Sequence, residues 1–120
     1  MVTQTLSSAV RNTRFLLGTC LVLCGSVTVQ AGPLFTGLGD LTAGSFYSIA
    51  KGVSANRAVV VGQSSSASGN EAFRWTSRTG MVGLGDLPGG YFSGHAYGVS
   101  ADGAVVVGSG ISGSGWEAFR

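Results

Sequence analysis

Few side chains in this 120-residue chain have a type and spacing that can do chemistry, and the single histidine, His95, comes first. A zinc site needs several Cys, His or carboxylate donors to converge, and no acidic pair flanks His95, so it reads as a rim or solvent-facing residue. Asp40 and Asp86 each follow Gly-Leu-Gly and precede Leu. A carboxylate in that setting most cheaply accepts backbone N–H groups and fixes a turn. Calcium asks for about six to eight oxygens, and one carboxylate per turn does not assemble them. Asp102 sits in Ser100-Ala101-Asp102-Gly103, where a tight turn accounts for it. Glu71/Arg74 and Glu117/Arg120 lie three apart, so in a strand each pair faces opposite ways and is expected to reach neighbouring units instead. Ser114 stands between Gly113 and Gly115 without the strand-to-helix context of a nucleophile elbow. Gly37-Leu38-Gly39 leads into Asp40-Leu41 and lacks the Lys-Ser/Thr of a phosphate loop. The aromatics Tyr47, Phe73, Trp75, Tyr91, Phe92, Tyr97, Trp116 and Phe119 can stack against a sugar. Trp116 is the best candidate among them for a surface contact, although partial packing under its loop is the favoured reading. No residue is assigned a catalytic, cofactor-binding or metal-ligating role, and no cofactor is implied.

The elements that carry these residues follow from an internal repeat. Gly37-Leu38-Gly39-Asp40-Leu41 returns as Gly83-Leu84-Gly85-Asp86-Leu87, and Gly52-Val53-Ser54-Ala55 as Gly98-Val99-Ser100-Ala101. Ala58-Val59-Val60-Val61-Gly62 returns as Ala104 to Gly108, and Glu71-Ala72-Phe73-Arg74 as Glu117-Ala118-Phe119-Arg120, always 46 residues on. Positions 37–74 and 83–120 match at 24 of 38 places without a gap. Phe73 and Phe119 are periodic and belong to the core, whereas Trp116 replaces Asn70.

Each period offers four short strands. Tyr47 to Ser54 alternates, with small residues at Ala50, Gly52 and Ser54 that reappear at Ala96, Gly98 and Ser100. Period-two alternation marks a strand, and a face of small residues implies close approach by another layer. Ala58 to Gly62 carries three successive valines and reads as a strand buried on both faces. Ser64 to Asn70 reads as a polar loop, and Glu71 to Thr76 as a strand with Phe73 and Trp75 on one side. Thr79-Gly80 turns into Met81 to Leu84, the fourth strand. The fold is expected to be all-β, with four-stranded units that are consecutive blades of a β-propeller; a β-solenoid is the alternative. Propellers close with about four to eight blades, so the unit is expected to continue past Arg120. An aromatic residue would come next, and a Gly-Leu-Gly-Asp-Leu-like string would begin 46 residues after Gly83.

The N-terminus reads differently. Arg11 and Arg14 precede the uncharged run Phe15 to Val29, which ends in Val29-Gln30-Ala31. Charged, apolar and small-residue regions in that order mark a secretory signal, and 15 residues fall short of the roughly 20 of a membrane span. Residues 1–31 are expected to be a cleaved signal peptide and 32–120 the repeat region, with repeat one about 37–82 and partial repeat two 83–120. A retained anchor, a buried core helix, or lipidation at Cys20 or Cys24 are the lesser readings. The chain has seven Lys and Arg against five Asp and Glu, and Arg11 and Arg14 supply the whole excess. The remaining five against five leave no basic surface to steer nucleic acid.

The repeated strings, above all Gly98-Val99-Ser100-Ala101-Asp102-Gly103 and Gly83-Leu84-Gly85-Asp86-Leu87-Pro88-Gly89-Gly90, resemble the HAF family of bacterial extracellular repeats. Glu71-Ala72-Phe73 and Glu117-Ala118-Phe119 stand where that family has His-Ala-Phe. The likeness covers Pro33 to Arg120. It implies export to the cell surface, the medium or the periplasm, sometimes as an autotransporter passenger before a membrane barrel, and it transfers no catalytic residue. The expected function is a non-enzymatic binding or adhesion scaffold. Its expected partners are a surface or extracellular ligand and neighbouring repeats or a C-terminal barrel. The alternative is part of a secreted propeller hydrolase or lyase whose site lies on other blades.

Overall fold

The computed structural model describes residue 32 and residues 34–120. The expected signal peptide, residues 1–31, lies outside the described residues. All seven strands belong to one compact unit, Thr36–Arg120. These are β1 (Ser48–Val53), β2 (Val60–Ser66), β3 (Gly69–Thr76), β4 (Gly80–Gly83), β5 (Gly89–Val99), β6 (Val106–Ser112) and β7 (Gly115–Phe119). None of the described residues is helical, so the all-β expectation holds.

Strands β1 to β4 form one antiparallel meander and β5 to β7 another. The two meet through one parallel pairing, Asn70 with Ser93, in a seven-stranded mixed sheet ordered β1-β2-β3-β5-β6-β7 with β4 against β3. The sheet curls into a half-barrel. In the first meander Ser48 pairs with Ser64, Ala50 with Gly62 and Val53 with Val60, with a bulge between Ala50 and Gly52. In the second, Gly94 pairs with Gly110, Ala96 with Gly108 and Val99 with Val106, with a bulge between Ala96 and Gly98.

Local chemistry explains the turns. Ser54 Oγ accepts from the Val59 N–H at 3.0 Å and donates to Asn56 Oδ1, which also accepts from the Ala58 N–H at 3.0 Å. Ser100 Oγ accepts from the Val105 N–H at 2.9 Å and donates to Asp102 Oδ1 at 2.6 Å, and that oxygen takes the Ala104 N–H at 3.0 Å. The Asp102 turn is thus as the sequence implied. The next residue has positive φ in both turns, 60° at Arg57 and 76° at Gly103. Glycine adopts that conformation freely, whereas an L side chain is strained there.

Two expectations need correction. The polar loop Ser64 to Asn70 is instead the tip of a hairpin, with β2 running to Ser66 and β3 starting at Gly69. Serine hydroxyls bind the local backbone here and make a compact turn: Ser66 Oγ donates to the Gly69 carbonyl and accepts from the Ser68 N–H. Ser112 does the same with Gly115 and Ser114. The valine run is also not sealed on both faces. Val59 and Val61 are buried, Val60 between them is half-buried, and Val107 is exposed. Successive strand residues point to opposite sides, and the core covers one side.

That core gathers Val59, Val61, Ala72 and Ala96, with Val99, Val106 and Phe119 packed against it. It therefore joins the two meanders. Each fully buried side chain of Val or Phe size contributes about 1.5–3 kcal/mol. The small residues of the first strand make the joint close: a Cβ on Gly52 would lie 3.2 Å from the Tyr97 carbonyl oxygen and 3.6 Å from the Gly98 Cα. Ser54 and Ala96 are buried in the same contact region, while Ala50 stays exposed.

Candidate functional site

The paired strands bring one group of side chains to a common surface. β5 projects His95 and, within the bulge, Tyr97, with Ser93 at the point where β5 meets β3. β2 adds Gln63, the segment before β1 adds Tyr47, β6 adds Ser109 and β7 adds Trp116. The face therefore spans both repeats and exists only where they pack together.

His95 is its hub. The Gln63 amide oxygen accepts from Nδ1 of His95, and the same amide donates through Nε2 to the Tyr47 hydroxyl at 3.0 Å. Ser93 Oγ lies 3.5 Å from the other ring nitrogen. The imidazole stacks with Tyr97 at a centroid distance of 6.2 Å and 10° between planes, and with Trp116 at 5.6 Å and 30°. Such offset aromatic contacts are worth about 0.5–1.5 kcal/mol each. The Tyr97 hydroxyl receives the Ser109 hydroxyl at 3.4 Å. His95 itself is half-buried, but Tyr97 and Trp116 keep 54% and 60% of their surface in solvent and Tyr47 keeps 41%. Flat apolar rings lie beside amide and hydroxyl groups, and none of these seven side chains carries a fixed charge.

All seven occupy positions where the two repeats differ. Tyr47 corresponds to Ser93, Ile49 to His95, Lys51 to Tyr97, Gln63 to Ser109 and Asn70 to Trp116. The sequence singled out Trp116 as the best candidate for a surface contact but favoured partial packing under its loop; the ring is instead 60% exposed. The sequence placed His95 on a rim without seeing its partners, and it passed over Gln63, Ser93 and Ser109. Mapping the differing positions onto the paired strands was the signal that would have found them.

The acidic residues behave structurally. Glu71 Oε1 accepts from the Gly85 N–H at 3.0 Å, and the Leu84 N–H donates to the Ala72 carbonyl at 2.8 Å. Together these hold the Gly-Leu-Gly-Asp segment against β3. Arg74 reaches the Gly103 carbonyl of the other meander at 3.3 Å. Asp86 does not anchor its turn as expected: its Oδ1 is buried and has no hydrogen-bond partner. Glu71, projecting from β3, is what meets the turn's amide. Ser100 and the Ala104 N–H, in that order, hold the Asp102 carboxyl below its usual value.

A cleft of about 400 Å³ opens beside Asp86, lined among others by Arg74, Leu87, Val106, Phe119 and Arg120. Among the described residues no three His, Cys, Asp or Glu side chains gather as a metal site. Comparison with protein-family models, with curated proteins and with solved structures finds no match for this chain.

Proposed function

We propose that this chain belongs to an exported repeat protein of HAF type, displayed at the cell surface or secreted, that works as a binding or adhesion scaffold. Its 46-residue units are read as consecutive propeller blades, in a passenger of the autotransporter kind. The observation that carries the reading is the convergence of five of the repeat's fourteen divergent registers on one exposed aromatic face. The core residues Val59, Val61, Ala72 and Ala96 all stand at repeated positions. The residues that vary are free to serve a contact, and aromatic side chains are favoured anchors at contacts. The antiparallel meander β1–β4 and the close approach at Gly52 support the blade reading.

Beads coated with the full chain and passed over immobilised polysaccharide, peptide and lipid surfaces test the function. Retention on at least one surface, abolished by Tyr97→Ala/Trp116→Ala, is the expected result. Equal passage of both proteins over every surface contradicts it. A second reading, a hydrolase or lyase, draws on the cleft where the unpartnered Asp86 Oδ1 lies near the arginines lining the same space. Sustained release of product from any of those surfaces would favour that reading. Export has its own check, because N-terminal sequencing of exported material should begin at Gly32; an intact Met1 would contradict it.

A further inference from the structure

We infer that the face around His95 binds a neutral carbohydrate, with a pyranose ring lying on Trp116 and Tyr97. The inference rests on the binding reading above and names its ligand class. One face of a pyranose presents C–H groups with partial positive charge, and the negative π-face of an exposed aromatic ring is their complement. Trp116 and Tyr97 are the two most exposed rings that contact His95. His95 already stacks with both, which fixes their orientation before any ligand arrives and lowers the ordering cost of binding.

A sugar's hydroxyls need donors and acceptors at the margin of the stack, and this face supplies neutral ones. The Gln63 amide is held between Tyr47 and His95, and the Ser109 and Tyr97 hydroxyls are joined to each other. Hydroxyls and amides both donate and accept, as sugar hydroxyls do. A phosphate or carboxylate ligand would call for Arg or Lys among these groups, and the seven side chains include neither. A proline-rich peptide also docks on aromatic rings, but it presents few donors to such a polar margin.

Only two tryptophans are present. Trp116 is exposed, and Trp75 is half-buried on β3, paired across the sheet with Val60. Tryptophan emission therefore reads the site, and Trp75 alone still reports on folding when Trp116 is replaced. The full chain is titrated with hexaoses of β-1,4-glucose, β-1,4-N-acetylglucosamine, β-1,4-xylose and α-1,4-glucose, and with a proline-rich peptide. A saturable blue shift with at least one hexaose is expected, unchanged between about 0.05 and 0.5 M salt because no ion pair is screened. Trp116→Ala should abolish that shift while keeping the Trp75 emission of the folded protein. By calorimetry, Tyr97→Ala should weaken the same hexaose about tenfold or more. Response to the peptide alone overturns the carbohydrate inference and leaves the binding scaffold standing. No response to any hexaose overturns the inference, and the bead assay then judges the scaffold separately. A hexaose shift that survives Trp116→Ala overturns the inference too, because binding would lie elsewhere.

Discussion

Val61 and Val107 hold the same place in two copies of one sequence, yet Val61 is fully sealed and Val107 keeps 45% of its surface in water. Ala72 and Ala118 divide the same way, as do Phe73 and the half-buried Phe119. On the first strand of the unit the order reverses, with Ala96 buried and Ala50 exposed. One meander gives the buried core its second and third strands, and the other gives its first, with Val106 and Phe119 packed half-buried against it. Burial therefore belongs to the joint between repeats and not to the repeat itself, as expected when stacked units depend on their neighbours. Identical residues should therefore have unequal energetic weight, which substitutions made at the same register of both repeats can measure.

The largest contrast is expected at the phenylalanines. Phe73→Ala empties a sealed site and should cost about 3–5 kcal/mol, whereas Phe119→Ala should cost less than half as much. Urea unfolding of the two variants checks this, and equal losses would remove the asymmetry. Next come the turn serines. Ser54→Ala strips a buried hydroxyl from the Val59 N–H and should cost about 1–3 kcal/mol. The half-buried Ser100 should cost less on the same measurement.

The third residue of each turn sharpens the comparison in the opposite direction. Arg57→Gly relieves positive φ and should stabilise by about 1 kcal/mol. Gly103→Ala should destabilise, because a Cβ there would strike the Val59 side chain as well as strain the backbone. Thermal unfolding midpoints moving in opposite directions would bear this out. The smallest effect belongs to acid. The Asp102 carboxyl is held below its ordinary pKa of 3.8, first by the Ser100 hydroxyl and then by the Ala104 N–H. A depressed folded-state value means that its contribution is present above about pH 3.8 and lost as pH falls through the lower, folded value. Asp102→Asn, which copies Asn56, should flatten that part of the pH–stability curve; an unchanged slope would show that Asp102 does not cause it.

Much of the fold was legible because its chemistry is local. The valine run, the Asp102-Gly103 turn and the alternating small residues each name their strand or bend. The hairpin through Ala67-Ser68 was not legible, because a serine- and glycine-rich stretch looks like loop until Ser66 and Ser112 are seen bonding their own backbone. The valine burial misled because β-branched runs report strand character, while the covered side depends on a partner surface far away in sequence. The aromatic face was half legible. Trp116 announced itself by breaking the repeat, but His95 gained its partners only through the approach of β2 to β5 and the pairing of β5 with β6 and β6 with β7. Gln63 lies 32 residues from His95, and no local pattern connects them.

Repeated positions build the core, and five divergent registers build the contact face. A chain carrying H95I, Y97K and W116N tests it directly, since each new residue is the one repeat one already uses at that register. Its unfolding free energy and its retention on the immobilised ligand surface should be measured side by side. Two stacking contacts and the His95–Gln63 and Tyr97–Ser109 hydrogen bonds are lost, so a cost of about 2–6 kcal/mol is expected, together with complete loss of retention. Undiminished retention, or a variant that no longer folds, would contradict it.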